Sequence, residues 1–348
     1  MKIALLTDTH YEIRSSQTIL KATNDFLNKV FYPYLIEHDI KQIVHLGDLF
    51  DKRRAIDTYY AASMRENFVQ PAINNRIKID IILGNHDVYF KNTNTVNSVE
   101  MMIPNGVEIH REPTTKRFGD TEIFLCPWIN AENKSDTITA IKKSTAQVLF
   151  GHLELVGFKF DKTNIAEHGM NSELFENFDV VCSGHYHHKS SKGNIHYLGS
   201  HMQFTWADYD DPRGFHIFDT DTRELEFIEN PNRLFHKLTY ENGELMVDGD
   251  VDSLDGAFVK IIIDDRTNEE QFNNMLDGLK RFGFSDVKFI DQTQEQMLIG
   301  DDEDLILDST EDSKSIMTRY IDEVDMAVNK DHLKKTMLQL YDLAMETV

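Results

Sequence analysis

The sequence predicts a layered α/β domain over residues 1–240, followed by a smaller α+β unit. Short runs rich in β-branched residues alternate with segments whose apolar residues recur every three or four positions, and this alternation continues through the first 200 residues. The later strands follow one another without helices between them, so a wholly parallel sheet is not expected. After about Tyr240 a single strand–helix–strand pattern follows, long enough for only a satellite domain.

Each element of the first domain follows from its local periodicity. The first strand lies in KIALLTD, and the spacing of apolar residues predicts a helix from Thr18 to about Glu37. A strand in QIVHLGD precedes a helix from Ala55 to about Gln70, and a third strand lies in IKIDIILGNHD. A short helix is predicted in SDTITAIKKS. The later strands are predicted in VEIHRE, TEIFLCPW, AQVLFGH, DVVCSGH, IHYLGS, GFHIFDT and LEFIE.

The C-terminal third changes in composition. A strand, a helix and a strand are predicted in AFVKIIIDD, NEEQFNNMLDGLKRFGF and DVKFID, so that residues 241–292 form a small cap. Residues 293–312 are acidic and small polar without a period, which is typical of a tether. Residues 313–348 predict two amphipathic helices with a break near Asn329. Their apolar stripe has to be covered, either by the chain's own core or by a partner protein.

The net charge limits the kinds of partner. Asp and Glu number 59 against 36 Lys and Arg, which gives a net charge of −23. This balance by itself argues against a nucleic acid partner, because phosphate binding normally uses a basic face. Residues from Thr293 onward carry 14 acidic and 5 basic side chains, a net of −9. A large part of the acidity therefore lies in the predicted tether and terminal helices.

Cysteine usage and hydropathy indicate the compartment. Cys126 and Cys182 lie in apolar runs without the spacing of a zinc site, so a reducing compartment fits better than a disulfide framework. The N-terminal apolar run is too short for a secretory signal, and no window reaches the roughly 20 apolar residues of a membrane span. We therefore expect a cytoplasmic protein without a membrane partner.

Five short motifs follow predicted strands, at the end where open α/β architectures gather their ligands. In an extended segment residues i and i+2 point to the same side, so Asp8 with His10, and His185 with His187, can each chelate one site. Any one motif could be ordinary turn chemistry, but polar donors at five strand ends together indicate a metal site. The motifs are Asp8-Thr9-His10, Gly47-Asp48, Gly84-Asn85-His86-Asp87, Gly151-His152 and Gly184-His185-Tyr186-His187.

The donor types narrow the metal. Imidazole, carboxylate and carboxamide groups without thiolate argue against structural zinc, and four histidines are too many for a dedicated magnesium or calcium site. Manganese is the best match, with iron, zinc, cobalt and magnesium as alternatives. Seven donors suit two ions about 3.5–4 Å apart, with Asp48 as the bridging carboxylate. The candidate ligands are Asp8, His10, Asp48, Asn85, His152, His185 and His187.

His86 lies next to a candidate ligand but in the opposite strand phase. An imidazole beside a phosphate can stabilise the transition state or protonate the leaving oxygen. His86 is therefore the candidate catalytic residue, and Asp87 is expected to orient it. The alternative is that His86 only fills the turn.

The segments DTH, GDLFD, GNHD, GH and GHYH, in this order and spacing, resemble the calcineurin-like metallophosphoesterase superfamily. Further segments are similar to the SbcD-type double-strand-break repair nucleases, with the phage recombination endonucleases as the nearest likeness. These segments include HLGDLFDKRRAI, LGNHDVYFKN, CPWINAEN, GHLELVGF, SGHYHH and DDPRGFHIFDT. The resemblance covers about residues 1–240 strongly and the remainder more loosely.

The resemblance implies a fold and a set of partners. The fold would be a four-layer α/β/β/α metallophosphoesterase sandwich with a small α+β DNA-binding cap and C-terminal helices. The activity would be that of a two-metal DNA exonuclease and structure-dependent endonuclease in recombination and double-strand-break repair. Its DNA substrates would be double-stranded ends and single-strand/duplex junctions. Its protein partner would be an SbcC-type coiled-coil ATPase, bound through the C-terminal helices by a homodimer within a heterotetramer.

The resemblance also implies roles for single regions and residues. Helices near Thr58–Phe68 and Asn92–Met102 would form the dimer face, and a phage-encoded member would act in the host cytoplasm. The first metal would take Asp8, His10, Asp48 and His187, and the second Asp48, Asn85, His152 and His185, with His86 catalytic. Cellular relatives in eukaryotes and archaea often have a histidine just after the GDLF segment, with a role in exonuclease action. This chain has Asp51 there, so a second catalytic histidine is not expected.

Other residues near the motifs have two interpretations each. His188 and His201 are extra imidazoles that we do not expect to be ligands. Lys52, Arg53, Arg54, Lys91, Lys189 and Lys192 either line a path for a phosphate backbone or are ordinary surface charges. Tyr89, Phe90 and Trp206 are candidates to stack on unpaired bases, although core packing is expected for Phe90. Two other functions stay open: a stand-alone phosphoesterase acting on nucleotides or phosphoproteins, and a DNA-binding scaffold subunit without catalysis.

Overall fold

The computed structural model describes residues 1–103, 106–247, 254–264, 268–292, 321, 330 and 333–337. The chain forms two compact units, Met1–Gln296 and Met297–Val348. In the second unit, residues 321, 330 and 333–337 are helical. The predicted tether, residues 293–312, and most of residues 313–348 lie outside the described residues.

The described residues form the expected alternation of strands and helices. The strands are β1 (Lys2–Leu6), β2 (Gln42–His45), β3 (Lys78–Ile82), β4 (Val107–His110), β5 (Thr114–Phe118), β6 (Thr121–Cys126), β7 (Val148–His152), β8 (Val180–Gly184), β9 (Ser190–Lys192), β10 (Ile195–Tyr197), β11 (Gly214–Asp219), β12 (Leu225–Glu229), β13 (Phe235–Glu241), β14 (Glu244–Met246), β15 (Phe258–Ile263) and β16 (Asp286–Asp291). The helices are α1 (Gln17–Phe26), α2 (Tyr32–Glu37), α3 (Thr58–Met64), α4 (Gln70–Asn74), α5 (Ser98–Met102), α6 (Lys134–Lys143) and α7 (Glu269–Leu279).

The first two predicted helices each continue through a π-helical turn. Leu27–Phe31 joins α1 to α2, and Arg65–Val69 joins α3 to α4. A proline stands at the second residue of both following helices, Pro33 in α2 and Pro71 in α4. Proline has no N–H, and its ring clashes with the carbonyl four residues earlier, so a wider turn before it relieves both problems.

Two six-stranded sheets make up the first domain. The first has the order β12-β11-β1-β2-β3-β4, in which β1 to β4 are parallel and β11 and β12 pair antiparallel. The second has the order β5-β6-β7-β8-β10-β9, with parallel central strands and antiparallel strands at both edges. Neither sheet is wholly parallel, which confirms the expectation from the uninterrupted late strands.

The two sheets pack face to face, with helices on their outer faces. In β1, Ile3 and Leu5 lie in the apolar cluster between the sheets, whereas Ala4 and Leu6 pack on the side of the first helices. The outer face of the second sheet packs with Ile141 of α6 in a separate cluster. Because successive strand residues point to opposite faces, both faces of each sheet are buried. The domain is the four-layer α/β/β/α sandwich that the resemblance implied.

The cap is a four-stranded sheet with the order β14-β13-β15-β16. Its β15–α7–β16 segment is the predicted strand–helix–strand unit. The sheet also includes β13, which begins at Phe235, so the cap starts before the predicted boundary at residue 240. The rings of Phe235 and Phe258 stack with centroids 4.9 Å apart. They belong to an apolar cluster with Phe204 and Leu234 that joins the cap to the sandwich.

Several short elements were not predicted, among them β5, β9 and β14. Each contains three to five residues, which is too short for a period to be recognised. Among the described residues, no helix has the length and apolar character needed to cross a membrane.

Candidate metal centre

The carboxyl ends of five parallel strands from both sheets bring the predicted ligands together. From the first sheet β1, β2 and β3 lead into the first three motifs, and from the second sheet β7 and β8 lead into the last two. The seven candidate ligands are all buried at this edge: Asp8, His10, Asp48, Asn85, His152, His185 and His187.

Asp8, His10 and His187 form a first group, in which one donor atom from each lies within 4.8 Å of the others. The Nε2 atoms of His10 and His187 are 3.0 Å apart, and His10 Nε2 is 4.0 Å from Asp8 Oδ1. The hydroxyl of Thr7 donates to Asp8 Oδ2 at 2.6 Å and fixes the carboxylate. The group therefore presents two imidazole nitrogens and a carboxylate oxygen to one point.

Asp48, His152 and His185 form a second group of the same kind, and Asn85 lies among them. Asn85 Oδ1 is 3.0 Å from His152 Nε2 and 2.9 Å from His185 Nδ1. Rotated by 180°, the amide would instead donate to both rings and to Asp48 Oδ2, the arrangement expected without an ion. His152 Nδ1 donates to the Leu46 carbonyl at 2.8 Å, which leaves Nε2 facing the group.

Asp48 lies between the two groups. Its Oδ2 is 3.7 Å from His10 Nε2 and 3.3 Å from His152 Nε2. Its Oδ1 accepts a hydrogen bond from the backbone N–H of His86 at 2.7 Å. Asp48 Oδ2 thus belongs to the second group and lies 3.7 Å from His10 Nε2 in the first, which is the position expected of a bridging carboxylate.

The donor set fits divalent cations. Two ligands about 2.1 Å from an ion and at right angles to each other lie about 3.0 Å apart. The closest donor separations in the two groups are 2.9 to 3.0 Å. Asp8 and Asp48 are also fully buried, and buried carboxylates need a counter-charge to offset their desolvation. Nitrogen and oxygen donors at this spacing are what a transition ion of the manganese, iron or zinc type takes.

The backbone at these strand ends is strained. Asp8, His10, Asp48 and His185 have φ angles of 50°, 42°, 55° and 90°, in the left-handed region that residues with a side chain avoid. Each such residue costs on the order of 1–3 kcal/mol and persists only where its surroundings hold it. Here the loops after β1 and β2 hold each other, since Asp8 N donates to Gly47 O at 3.0 Å and His10 N to Asp48 O at 3.1 Å.

Two glycines permit the close approach of these loops. A Cβ at Gly84 would lie 2.1 Å from Asp48 Oδ1, and a Cβ at Gly184 would lie 2.0 Å from Thr7 Oγ1. Gly84 therefore leaves room for the Asp48 carboxylate. Gly184 lets the second sheet reach the loop after β1 in the same way.

Asp87 braces the backbone and does not orient His86, so that expectation is wrong. Its Oδ2 accepts from the N–H groups of Asp48 and Gly84, both at 2.8 Å, and its Oδ1 accepts from Leu49 N at 2.9 Å. These backbone donors occupy the carboxylate. Burial raises the pKa of Asp87 to about 7.

His86 is oriented by Asp51 instead. His86 Nδ1 donates to the Asp51 carbonyl oxygen at 2.6 Å, so Nε2 points away from that loop. The half-buried His86 ring lies edge-on to His10, with centroids 5.0 Å apart. His86 therefore stands next to the first donor group without belonging to the seven donors.

The four candidate-ligand imidazoles divide into two pairs by the direction in which their pKa is shifted. Burial by itself would lower the pKa of His10 and His152, but neighbouring carboxylates outweigh burial and raise each pKa to about 9. Burial lowers the pKa of His185 and His187 well below the usual value. Burial by itself would raise the pKa of Asp48, yet the adjacent imidazoles hold it well below its usual value. The ionised Asp48 carboxylate thus favours the protonated forms of His10 and His152. A bound cation would supply that positive charge in their place.

The two extra imidazoles have partners of their own. His188 Nδ1 is 2.7 Å from Asp211 Oδ2, and His201 Nε2 is 3.2 Å from Thr23 Oγ1. Neither histidine joins the two donor groups formed by the described residues.

The basic residues that follow the motifs differ in their surroundings. Lys52 Nζ is 2.6 Å from Glu12 Oε1, and Lys189 Nζ lies 3.3 Å from the centroid of the Phe227 ring. Both are therefore engaged locally, as the surface-charge interpretation expects.

The candidate stacking residues are placed differently from one another. Phe90 is 46% exposed and Tyr89 is 37% exposed, with their rings edge-on at 4.7 Å. The expectation of core packing for Phe90 is wrong, because Phe90 lies in a loop beyond β3 and outside both sheets. Trp206 packs against Phe235 at the junction with the cap, with centroids 5.0 Å apart.

Two aromatic residues that flank the donor groups, Trp128 and Phe204, were not predicted as site residues. The Trp128 ring lies 5.3 Å from that of His185 and 6.1 Å from that of His152. The Phe204 ring lies 5.6 Å from that of His187 on the other side. Trp128 lies in the CPWINAEN segment just after β6. Its place directly after a strand is the sequence feature that could have indicated a site residue.

Comparison with known proteins identifies the family of this chain. A family model described as calcineurin-like phosphoesterase matches residues 1–189. Exonuclease subunit 1 of Enterobacteria phage T4 is 35% identical over 240 residues, which cover 68% of this chain and 70% of that protein. The SbcD component of the nuclease SbcCD from Staphylococcus epidermidis is 25% identical over 259 residues, covering 65% of this chain and 67% of that protein. A solved archaeal phosphodiesterase aligns with 66% of this chain and 100% of its own, at 13% identity and a TM-score of 0.33. The chain belongs to the calcineurin-like phosphoesterase family.

Proposed function

We propose that this chain is a two-metal-dependent DNA nuclease subunit that hydrolyses phosphodiester bonds. The observation that carries the proposal is the position of Asp48 Oδ2, which lies between two groups of buried donors, 3.3 Å from His152 Nε2 and 3.7 Å from His10 Nε2. Two ions held about 3.5–4 Å apart stabilise the attacking and leaving oxygens of a phosphoryl displacement. The relatives named as an exonuclease subunit and as a nuclease subunit support a nucleic acid substrate.

The proposed ligands divide by proximity. The first ion would be held by Asp8, His10, Asp48 and His187, and the second by Asp48, Asn85, His152 and His185. We propose manganese for both positions, with magnesium, zinc, iron or cobalt as alternatives. When bound, the ions would supply Lewis-acid stabilisation of the phosphoryl oxygens and a water of lowered pKa.

The chain's own residues would orient the substrate and handle a proton. His86 Nδ1–H donates to the Asp51 carbonyl, so an acid at this position would be the imidazolium form, with its second proton on Nε2. That Nε2 proton would be donated to the leaving oxygen and leave a neutral ring with its proton on Nδ1, or it would stay and stabilise charge in the transition state. Trp128 and Phe204 flank the donor groups with apolar surface, which restricts water around the reacting phosphate.

We propose exonuclease and structure-dependent endonuclease action in recombination and double-strand-break repair, with residues 241–292 as a DNA-binding cap. The exposed Tyr89 and Phe90 support contact with unpaired bases, because aromatic rings stack on bases of any sequence. Tyr89 also lies under the guanidinium of Arg54, 5.4 Å from the ring centroid, which places a positive charge beside it.

The proposed protein partner is an SbcC-type coiled-coil ATPase, bound through residues 313–348. The relatives are named as subunits, which supports a function within a complex.

We further propose a homodimer within a heterotetramer. Tyr59 is 58% exposed and Met101 is 67% exposed, on segments linked by a hydrogen bond from Arg65 Nε to the Met102 carbonyl. Exposed apolar residues on adjoining helices favour a protein contact there. The cytoplasmic location stays a prediction.

A substrate panel tests the function. The purified chain, with manganese, is incubated with blunt and junction-containing DNA, with nucleotide monoesters and with phosphopeptides. We expect hydrolysis of DNA at ends and at single-strand/duplex junctions. Turnover of nucleotides or phosphopeptides alone would indicate a stand-alone phosphoesterase, and failure to cut any DNA would refute the nuclease proposal.

A further inference from the structure

Asp51 touches both a proposed metal ligand and the proposed catalytic residue. Its Oδ1 is 3.3 Å from His10 Nδ1, and its backbone carbonyl accepts from His86 Nδ1 at 2.6 Å. We infer that Asp51 is a positioning residue that fixes His10 for the first metal ion and holds His86 beside it. This inference rests on the metal centre proposed above.

His10 needs a partner for the ring nitrogen that does not face the centre. Its Nε2 faces His187 at 3.0 Å and Asp48 Oδ2 at 3.7 Å. An imidazole that binds a metal carries its proton on the other nitrogen, and that N–H normally meets a carboxylate or a carbonyl. His10 Nδ1 is buried and makes no well-aligned hydrogen bond with any described residue, although Asp51 Oδ1 lies 3.3 Å from it. The Asp51 carboxylate is the acceptor within reach, so it favours the tautomer that leaves Nε2 for the ion.

The Asp51 side chain is itself held in place. Its backbone N–H donates to the Tyr11 carbonyl at 3.0 Å, and Tyr11 N donates back to Leu49 O at 2.9 Å. The Asp51 side chain is only 19% exposed, which limits its freedom to turn toward solvent. The carboxylate is therefore held in place where it meets His10.

The same residue fixes His86 through its main chain. The carbonyl of Asp51 accepts from His86 Nδ1–H and so fixes the orientation of the ring, and the rings of His10 and His86 lie edge-on at 5.0 Å. A shift of Asp51 would displace the first-metal ligand and the proton donor together. This placement gives position 51 a function that needs no proton transfer by the residue itself, in contrast to a second catalytic histidine.

Metal titration of the full-length chain tests the inference. The variants are Asp51→Asn, which keeps the shape and an oxygen but loses the charge, and Asp51→Ala, which removes the group. Asp39→Asn serves as the matched control, because Asp39 is exposed in a turn and pairs only with Lys41 among the described side chains. Manganese binding is followed by the electron paramagnetic resonance signal of the free ion, and folding by thermal unfolding in chelator.

We expect wild type and Asp39→Asn to bind two ions, and the Asp51 variants to weaken one site about 10- to 100-fold, as loss of an outer partner typically does. Asp51→Ala should be the weaker binder, and at saturating manganese it should lower kcat more than it changes KM. Unchanged affinity at both sites in a folded Asp51→Ala would overturn the inference. The inference would also fail if wild type bound three ions and Asp51→Ala bound two. Asp51 would then be a direct metal ligand together with His10 and His86. If wild type binds no manganese, the proposed metal centre fails instead. If Asp51→Ala does not fold, Asp51→Asn gives the same comparison.

Discussion

Replacing His86 with alanine separates the proposed proton transfer from metal binding. The main-chain N–H of His86, which donates to Asp48 Oδ1 at 2.7 Å, is unchanged by the substitution, and the imidazole is not one of the seven proposed ligands. Both metal positions should therefore persist in His86→Ala. A positioned acid–base group contributes about 10²- to 10⁴-fold to the rate. Since tenfold corresponds to about 1.36 kcal/mol, the barrier should rise by about 2.7–5.4 kcal/mol.

The assay measures single-turnover cleavage of end-labelled duplex DNA at saturating manganese, beside calorimetric titration of the metal. His168→Ala is the matched control, because His168 is exposed and distant in sequence from the five motifs. We expect His86→Ala to bind two ions with wild-type affinity and to cut at least 100-fold more slowly, a loss at the lower bound of the acid–base contribution. Undiminished cleavage would refute the role of His86, and loss of a metal ion would show that the ring is a ligand.

Three further changes give distinct outcomes. Asp48→Ala removes the oxygen that lies between the two donor groups, so manganese titration should show both sites weakened and cleavage abolished. Two sites of wild-type affinity would contradict the bridging role. Deletion of residues 313–348 should abolish co-purification with an SbcC-type ATPase while manganese-dependent DNA cleavage remains, and an unaffected complex would place the docking site elsewhere. Asp80→Ala should lower the free energy of unfolding, measured in urea, by about 3 kcal/mol. The substitution removes the carboxylate that lies 2.6 Å from His110 Nε2 and 2.5 Å from Nζ of Lys116, which is 27% exposed. Burial would raise the pKa of Asp80, but these two partners lower it, so its contribution is present above about pH 4 and is lost as pH falls through the lowered value. A difference between wild type and Asp80→Ala that persists undiminished at pH 2 would contradict this account.

The sandwich could be predicted because its signals are local. An apolar run such as the one around Leu5 has the length of a buried strand, and the polar residues that end it stand at fixed spacing. The spacing of Asp8 and His10 by two residues suggested a shared site, and the structure brings both to the same donor group. The same spacing suggested one site for His185 and His187, and that expectation is wrong, because these two residues lie in different donor groups. Edge strands of three residues, such as Ser190–Lys192, carry no comparable signal.

The support of the site could not be predicted because it depends on contacts between distant segments. Asp87 was assigned to its neighbour His86, yet its carboxylate meets backbone N–H groups of the loop after β2, nearly 40 residues earlier. Asp51 was noted only as a departure from a histidine, and its contact with His10 depends on how two loops pair. A side chain that accepts from a backbone N–H leaves no periodic or compositional trace in the sequence.

Each proposed metal position draws its donors from both sheets. Asp8 follows β1 in the first sheet, whereas His187 follows β8 in the second, and the same division separates Asp48 from His152. Neither sheet by itself holds a complete set, so ions bound here would connect the two sheets at the edge of their shared apolar core. Metal binding and the packing of the sandwich are then linked, because a ligand that binds only the native state stabilises it. The left-handed backbone of Asp8 and Asp48 has the same origin: the loops must turn sharply to point carboxylates inward, and the pairing of the sheets holds them there. This explains why the donors occur in five motifs spread over about 180 residues, since a site between two sheets has to collect side chains from both.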